Sequence, residues 1–188
     1  MRKSLVLLAI FAMVGACSSD DSGEVGSKAT TSTTTEKGTT TTAVASPVAS
    51  SCDDPGDAGG TGADLTKVTL ARSGENLTVT YDVAGEVSAP PDGASWVIVA
   101  SRGAGSDFKQ HHLGLEIAGS EVTRFVFDSD ANRQTELDTP YTATGQRVVA
   151  SFPAKNLPPT PFAWRAVTTA AGNDVDFCPA QGTLTFSG

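Results

Sequence analysis

The sequence predicts an all-β fold, an antiparallel β-sandwich of about nine strands that occupies residues 52–188. Short segments rich in Val, Thr and aromatic residues recur along this region, and Gly, Asp, Asn and Pro separate them. Helix signals are nearly absent, and many short strands at this spacing are typical of a sandwich. The region holds 137 residues, which is enough for one domain.

The strand pattern is clearest in residues 77–83, where apolar and polar side chains alternate with period two. Such alternation places the apolar side chains on one face of a sheet. The Ser-Gly-Glu-Asn sequence at 73–76 predicts the hairpin turn before this strand, and the wholly apolar segment 96–100 predicts a central strand. The other predicted strands are 68–70, 113–117, 122–127, 148–152, 162–168, 174–177 and 183–186.

The N-terminal residues have the pattern of a secretory signal peptide. A basic Met-Arg-Lys start precedes residues 4–14, which are nearly all apolar. A run of 11 residues is too short to cross a hydrocarbon core of about 30 Å as a helix, and it fits the apolar region of a signal peptide. No later segment approaches 18 consecutive apolar residues, so no transmembrane helix is predicted.

The Val-Gly-Ala-Cys sequence at 14–17 resembles the lipobox of bacterial lipoproteins, an aliphatic residue and two small residues before a cysteine. In that family the cysteine receives a diacylglycerol, and a peptidase then cleaves before it. The resemblance implies a signal peptide at 1–16 and a lipidated Cys17, which would hold the protein on the extracytoplasmic face of the cell membrane. An ordinary signal peptide with a chance cysteine is the alternative.

Residues 17–51 are predicted to form a disordered tether behind the lipidated cysteine. Seventeen of the 34 residues from 18 to 51 are Ser or Thr, and none is aromatic. Such a segment cannot bury enough apolar surface to offset the entropy of ordering it. A simple spacer and an O-glycosylated stalk are both compatible with this composition.

The charge of the chain argues against nucleic acid as a partner. The formal net charge is −8, and loss of the two basic residues of the signal peptide changes it to 11 − 21 = −10. A protein this acidic, without a cluster of Lys and Arg along the sequence, is repelled by phosphate backbones and by anionic lipids.

Two cysteines remain after lipidation, Cys52 and Cys178, and they bracket the predicted domain. Export places them in an oxidising compartment, where such a pair normally forms a disulfide. A metal site would require more ligands close to them in the sequence.

The opening of the domain resembles a broad group of β-sandwiches that includes DOMON domains and family 9 carbohydrate-binding modules. The similar segments are Asp-Pro-Gly-Asp-Ala at 54–58, Asp-Leu-Thr-Lys-Val at 64–68 and Gly-Glu-Asn-Leu-Thr-Val at 74–79, followed by the late strand at 148–153. The first turn lacks one residue of the group's pattern. The resemblance covers about half of the domain and implies a sandwich, and because members bind sugars, haem or no known ligand, it leaves the function open.

Two acidic segments are candidate calcium sites, because Ca²⁺ prefers six to eight oxygen ligands on flexible loops. The first contributes Asp54, Asp57 and Asp64, and the second contributes Asp128, Asp130 and Asn132. The second lacks the glycine and the glutamate that complete a calcium loop. The alternative for both is that Asp and Asn side chains cap turns.

Candidates for other ligands are few. Tyr141 is predicted to lie in an exposed loop, where its ring could contact a sugar, whereas Tyr81, Trp96 and Trp164 are predicted to be core residues. The adjacent pair at 111–112 contains both histidines of the chain, and neighbours in a strand point to opposite faces, which argues against a shared metal. Both methionines lie in the signal peptide, and their loss removes the usual thioether ligand for copper or a cytochrome-type haem.

The sequence therefore favours a binding or structural module at the cell envelope, with a cell-wall polysaccharide or another envelope protein as its partner. The alternative is a small secreted enzyme or an enzyme-accessory domain with a calcium-dependent site. No catalytic motif of a hydrolase, zinc protease or phosphate-binding loop is present, so no catalytic residue is predicted.

Overall fold

Two antiparallel sheets form the structure, as predicted from the sequence. The computed structural model describes residues 48–88 and 92–188, which contain twelve strands and two short 3₁₀ turns. The first sheet has the order β1-β2-β3-β9-β8, and its strands are β1 Val48–Asp53, β2 Leu65–Ser73, β3 Asn76–Val83, β8 Tyr141–Thr144 and β9 Arg147–Pro153.

The second sheet has the order β11-β10-β4-β5-β6-β7, and β12 pairs with β10 beside it. Its strands are β4 Ala94–Arg102, β5 Lys109–Ala118, β6 Glu121–Asp128, β7 Arg133–Glu136, β10 Phe162–Ala170, β11 Asn173–Cys178 and β12 Leu184–Phe186. The 3₁₀ turns are Gly105–Asp107 and Ala154–Asn156. No helix among the described residues is long and apolar enough to span a membrane.

Every predicted strand is present, and three further strands were not predicted: β1, β7 and β8. All four side chains of β7 are exposed, as are three of the four in β8, so neither strand carries an apolar alternation. Because β1 pairs with β2 from Val48 onward, residues 48–51 belong to the sandwich and the predicted tether boundary at 51 is wrong. The rest of the tether, the signal peptide and Cys17 lie outside the described residues.

The core lies between the sheets and follows the predicted period-two pattern. The alternate side chains Leu77, Val79, Tyr81 and Val83 of β3 are all buried. β4 is central, with β10 on one side and β5 on the other. Its inward residues are Trp96, Ile98 and Ala100, all fully buried, and Trp164 on β10 is buried as well.

The predicted disulfide joins Cys52 on β1 to Cys178 on β11. These two strands belong to different sheets, and each is the outermost strand on its side of the sandwich. The bond therefore ties the two layers together along one open edge, and this edge also contains the candidate site.

Candidate metal centre

Three carboxylates from both sheets meet beside the disulfide. Asp54 and Asp57 lie in the loop that follows β1, and Asp176 lies on β11. One carboxylate oxygen from each of the three lies within 4.8 Å of the others. Because β1 and β11 are in different sheets, an ion held here would connect the two layers.

A fourth carboxylate, Asp64, lies next to this group, immediately before β2, and is fully buried. Its Oδ2 atom accepts a hydrogen bond from the backbone N–H of Gly60, whereas its Oδ1 atom is buried and has no hydrogen-bond partner. Oδ1 points towards the loop of Asp54 and Asp57, since it lies 3.7 Å from the position that a Cβ atom on Gly56 would occupy. A buried carboxylate oxygen without a partner is unfavourable by several kcal/mol or more, and a bound cation removes that penalty.

We call Asp54, Asp57, Asp64 and Asp176 the carboxylate cluster, and local hydrogen bonds fix its loop. The N–H of Asp54 donates to the carbonyl of Thr66 at 2.9 Å, and the N–H of Gly56 donates to Asp54 Oδ1 at 3.2 Å. Gly56 has φ +69°, a left-handed conformation that glycine adopts without strain. The turn between Asp54 and Asp57 is therefore held by one backbone hydrogen bond and by the side chain of Asp54.

Asp176 also connects the sheets through hydrogen bonds of its own. Its Oδ2 atom accepts from the N–H of Leu65 on β2, and its Oδ1 atom accepts from the N–H of Phe177, both at 2.7 Å. A carboxylate oxygen has two lone pairs, so each oxygen can accept one backbone N–H and still coordinate a cation.

The electrostatics of the cluster are unfavourable without a cation. Burial raises the pKa of Asp176. The two backbone hydrogen bonds to its carboxylate lower this pKa, and the nearby charges of Asp54 and Asp64 raise it. Burial likewise raises the pKa of Asp54, together with the charges of Asp57 and Asp64. Like charges in a partly buried site favour either protonation or a bound cation.

The donor set is made of oxygen atoms from carboxylates, which suits a hard cation. Ca²⁺ tolerates irregular geometry and accepts carboxylates and carbonyls together, whereas Mg²⁺ requires a near-ideal octahedron and retains its waters. Imidazole and thiolate ligands, which transition metals prefer, are not part of the cluster. The residues fit Ca²⁺ best.

The structure brings together Asp54, Asp57 and Asp64 as the first candidate calcium segment, and it adds Asp176. Sequence reasoning missed Asp176 because it lies more than 100 residues further along the chain. One signal was available: Asp176 precedes Cys178 by two positions in a strand, so it shares the inward face of a half-cystine.

The second candidate segment has a different arrangement. Asp128 Oδ1 accepts hydrogen bonds from the N–H groups of Asp130 and Ala131, at 3.0 and 3.1 Å, and so caps the turn between β6 and β7. Asp130 forms an ion pair with Lys109, and Asn132 occupies a left-handed turn position with φ +46°. The structure therefore uses these residues as turn and surface groups, which is the alternative stated for them above.

Tyr141 lies in β8 at the edge of the first sheet, and the prediction of a loop is wrong. The ring is 38% exposed, and the guanidinium of Arg124 lies 4.9 Å from its centroid. The Arg124 contact occupies part of the surface that a sugar ring would need.

The two histidines occupy different surroundings on β5. His112 lies beside the ring of Phe127, and its pKa is lowered by burial and by the neighbouring His111. His111 faces Asp128 instead, with its Nε2 atom 3.9 Å from Asp128 Oδ2.

Comparisons with known proteins found no significant match to a protein-family model, a curated protein or a solved structure. The resemblance to DOMON domains and family 9 carbohydrate-binding modules stays a prediction from the short segments that carry it.

Proposed function

We propose that this chain is a lipid-anchored protein of the extracytoplasmic membrane face, whose β-sandwich is a binding module stabilised by Ca²⁺. The cell-wall glycan is the proposed ligand. The observation that carries the calcium site is the buried, unpartnered Oδ1 atom of Asp64 beside three further carboxylates.

A structural role for the cation follows from its position. Asp54 and Asp57 lie in the loop that follows β1 of the first sheet, whereas Asp176 lies on β11 of the second. A cation at the cluster would connect the same two strands as the disulfide, because Cys52 lies two residues before Asp54 and Cys178 lies two residues after Asp176. The acidic loop gains order on binding, and the calcium affinity adds directly to the stability of the fold.

The proposed location is supported by two features from opposite ends of the chain. The lipobox-like sequence at 14–17 provides the acylated cysteine, and two acyl chains hold a protein on a membrane firmly. The disulfide of the sandwich is of the kind that persists in exported proteins, because reducing compartments keep thiols free.

The calcium proposal is tested by thermal unfolding of the chain from residue 17 onward, with Cys17→Ser to keep it unlipidated. After treatment with a chelator, addition of Ca²⁺ at about 100 times its Kd should stabilise the protein by about 2.7 kcal/mol. Mg²⁺ at the same concentration should produce a smaller rise in Tm. An identical melting curve with chelator and with millimolar Ca²⁺ would refute the site.

The anchor is tested separately in cells by fractionation of the full chain and of Cys17→Ala. The variant should leave the membrane fraction or retain an uncleaved signal peptide, and Ser18→Ala should behave like the unmodified chain. Correct cleavage of Cys17→Ala, with the protein still in the membrane fraction, would contradict lipid anchoring.

A further inference from the structure

A groove lies at the opposite end of the sandwich from the carboxylate cluster. The loop that contains Asp64 contacts the first part of β4, since the Nε1 atom of Trp96 donates to the carbonyl of Gly62. The groove lies where β4 ends at Arg102, about 20 Å further along the strand. It has a volume of about 400 Å³ and is open to solvent.

A second hollow of about 140 Å³ adjoins this groove and shares the side chains of His111 and Leu157 with it. Arg102 and Lys109 line the first hollow, and Arg133 and Lys155 line the second. We call the two joined hollows the basic groove. Because the two hollows share His111 and Leu157, they are adjacent, and together they offer more space than either one alone.

The basic groove concentrates positive side chains in a domain that is acidic as a whole. Residues 48–188 contain nine Lys and Arg against seventeen Asp and Glu, yet four of the nine basic side chains line this one depression. Lys109 is paired with Asp130, and Asp107 and Asp128 also line the hollows. Among the described residues, Arg102, Arg133 and Lys155 form no ion pair.

These cations come from distant parts of the chain. Arg102 ends β4, Lys109 begins β5, Arg133 begins β7, and Lys155 lies in the 3₁₀ turn after β9. The fold brings four separate segments to one place, so the grouping does not reflect a basic run of sequence. Without a ligand the four positive charges repel one another mildly. An anionic ligand in the groove is attracted to all of them.

The groove also offers apolar contacts. Leu157, Pro158 and Pro159 form one wall of the larger hollow. Apolar faces beside a few polar groups are typical of ligand sites, and the ring faces of a sugar are apolar while its substituents are polar.

His111 adds a polar group without an assigned partner at the shared wall. Its Nδ1 atom is buried with no hydrogen bond, and its Nε2 atom is too far from Asp128 for one. The imidazole is therefore not fixed by hydrogen bonds on either nitrogen and can reorient when a ligand offers a partner.

We infer that the basic groove binds an acidic glycan, a carbohydrate chain with carboxylate or phosphate groups. The inference rests on the proposed binding role of the module and is independent of the calcium site. Arg102, Arg133 and Lys155 contact the anionic groups, and Leu157 and Pro159 contact the faces of the sugar rings. Charge-assisted bonds of this kind make affinity dependent on ionic strength.

The test uses polymers that share one backbone: neutral dextran, carboxymethyl dextran and phosphorylated dextran, with polyglutamate as a chain that has charge and no sugar. The protein should bind at least one charged dextran, and the two charged forms distinguish carboxylate from phosphate recognition. The double variant Arg133→Gln and Lys155→Gln should lower that affinity by about tenfold or more, as expected when charged hydrogen bonds are lost.

The matched control is Lys67→Gln with Arg147→Gln, which removes the same charge from the opposite half of the sandwich. Both residues form exposed ion pairs, with Asp53 and Asp82, so their loss should leave affinity within about twofold. Equal losses in both double variants would overturn the groove as the site. Polyglutamate binding as tight as charged dextran, or no binding to either charged dextran, would overturn the acidic glycan, while the calcium titration decides the metal site independently.

Discussion

The two ends of the sandwich contain opposite charge clusters in opposite surroundings. At one end Asp64 and Asp176 of the carboxylate cluster are buried, Asp54 is half-buried and Asp57 is exposed. At the other end the cations of the basic groove lie in an open depression, where Arg102 and Arg133 are exposed to solvent. Burial, more than sign, distinguishes the two clusters: buried like charges need a counterion to stabilise the fold, whereas exposed like charges cost little and remain free for a partner.

The two ends also differ in what holds them together. Around the carboxylate cluster, the disulfide and the Asp176–Leu65 hydrogen bond both cross between the sheets. The lining of the basic groove comes from strand ends and turns of the second sheet and from residues 155–159, which connect β9 to β10. We therefore expect changes at the carboxylate end to alter stability, and changes at the groove end to alter binding.

The largest expected effect is loss of the disulfide, through Cys52→Ser together with Cys178→Ser. The bond closes a separation of 126 residues, and the loop-entropy model gives a loss of up to about 5 kcal/mol. In a domain of this size the melting temperature should fall by roughly 10 °C or more. Differential scanning calorimetry measures it, and the groove variant Arg133→Gln with Lys155→Gln is the control that should melt like the unmodified chain. Equal melting temperatures for all three proteins would remove the distinction between the ends.

Asp64→Asn should change the free energy of unfolding, and the direction of this change should depend on calcium. With Ca²⁺ present, the variant loses a charged ligand and should be less stable than the unmodified chain by about 1–3 kcal/mol. With a chelator present, it loses an unpaired buried charge beside other carboxylates and should be as stable or more stable.

Chemical denaturation in both conditions provides the comparison for Asp64→Asn, and Asp107→Asn, a carboxylate at the groove end, is the matched control. A loss of stability of the same size with and without Ca²⁺ would mean that Asp64 acts only through its hydrogen bond to Gly60.

The fold was predictable wherever strands contribute alternate residues to the core. Residues 77–83 show this most clearly, because all four apolar positions are buried. β7 could not be found in the same way, since its Arg-Gln-Thr-Glu sequence lies wholly on the surface and pairs only through its backbone. β1 contains only polar and small residues after Val48. Its side chains therefore show no strand pattern from which the pairing with β2 could be predicted.

The sites were predictable only in part, for a related reason. Asp54, Asp57 and Asp64 are close in sequence, so their density made them candidates, as it did for Asp128, Asp130 and Asn132. Asp176 joins them through the pairing of distant strands, which local sequence does not encode. The basic groove escaped sequence analysis entirely, because its four cations lie in four separate segments and none forms a local cluster.

The pH dependence of stability should differ between the calcium-bound and the calcium-free protein. The pKa values of Asp54 and Asp176 are raised in the folded state, so the folded protein binds protons more tightly than the unfolded chain. Without calcium, this contribution to stability is fully present below the ordinary pKa of 3.8 and is lost as the pH rises through the raised values. With calcium, protons compete with the ion and acid removes its stabilisation.

Melting temperatures between pH 7 and pH 4, with calcium and with chelator, test this difference. Groups such as Asp128, whose pKa is lowered chiefly by the hydrogen bond from Ala131, act in the opposite direction and are common to both conditions. The calcium-induced rise in Tm should therefore shrink steadily as the pH falls. A rise that stays constant across this range would place the ion away from Asp54 and Asp176.

The smallest expected effect is that of Asp130→Ala at the groove end. The variant removes the exposed ion pair with Lys109, and surface pairs of this kind contribute little to stability, so the melting temperature should change little. The calcium-induced rise in Tm should be unchanged, because Asp130 is outside the carboxylate cluster. Lys109 becomes free to contact an anion, so the affinity for charged dextran should increase by about twofold and should weaken more steeply with added salt. Reduced affinity would mean that Asp130 holds Lys109 in its binding position, and a loss of the calcium response would return Asp130 to the list of metal ligands.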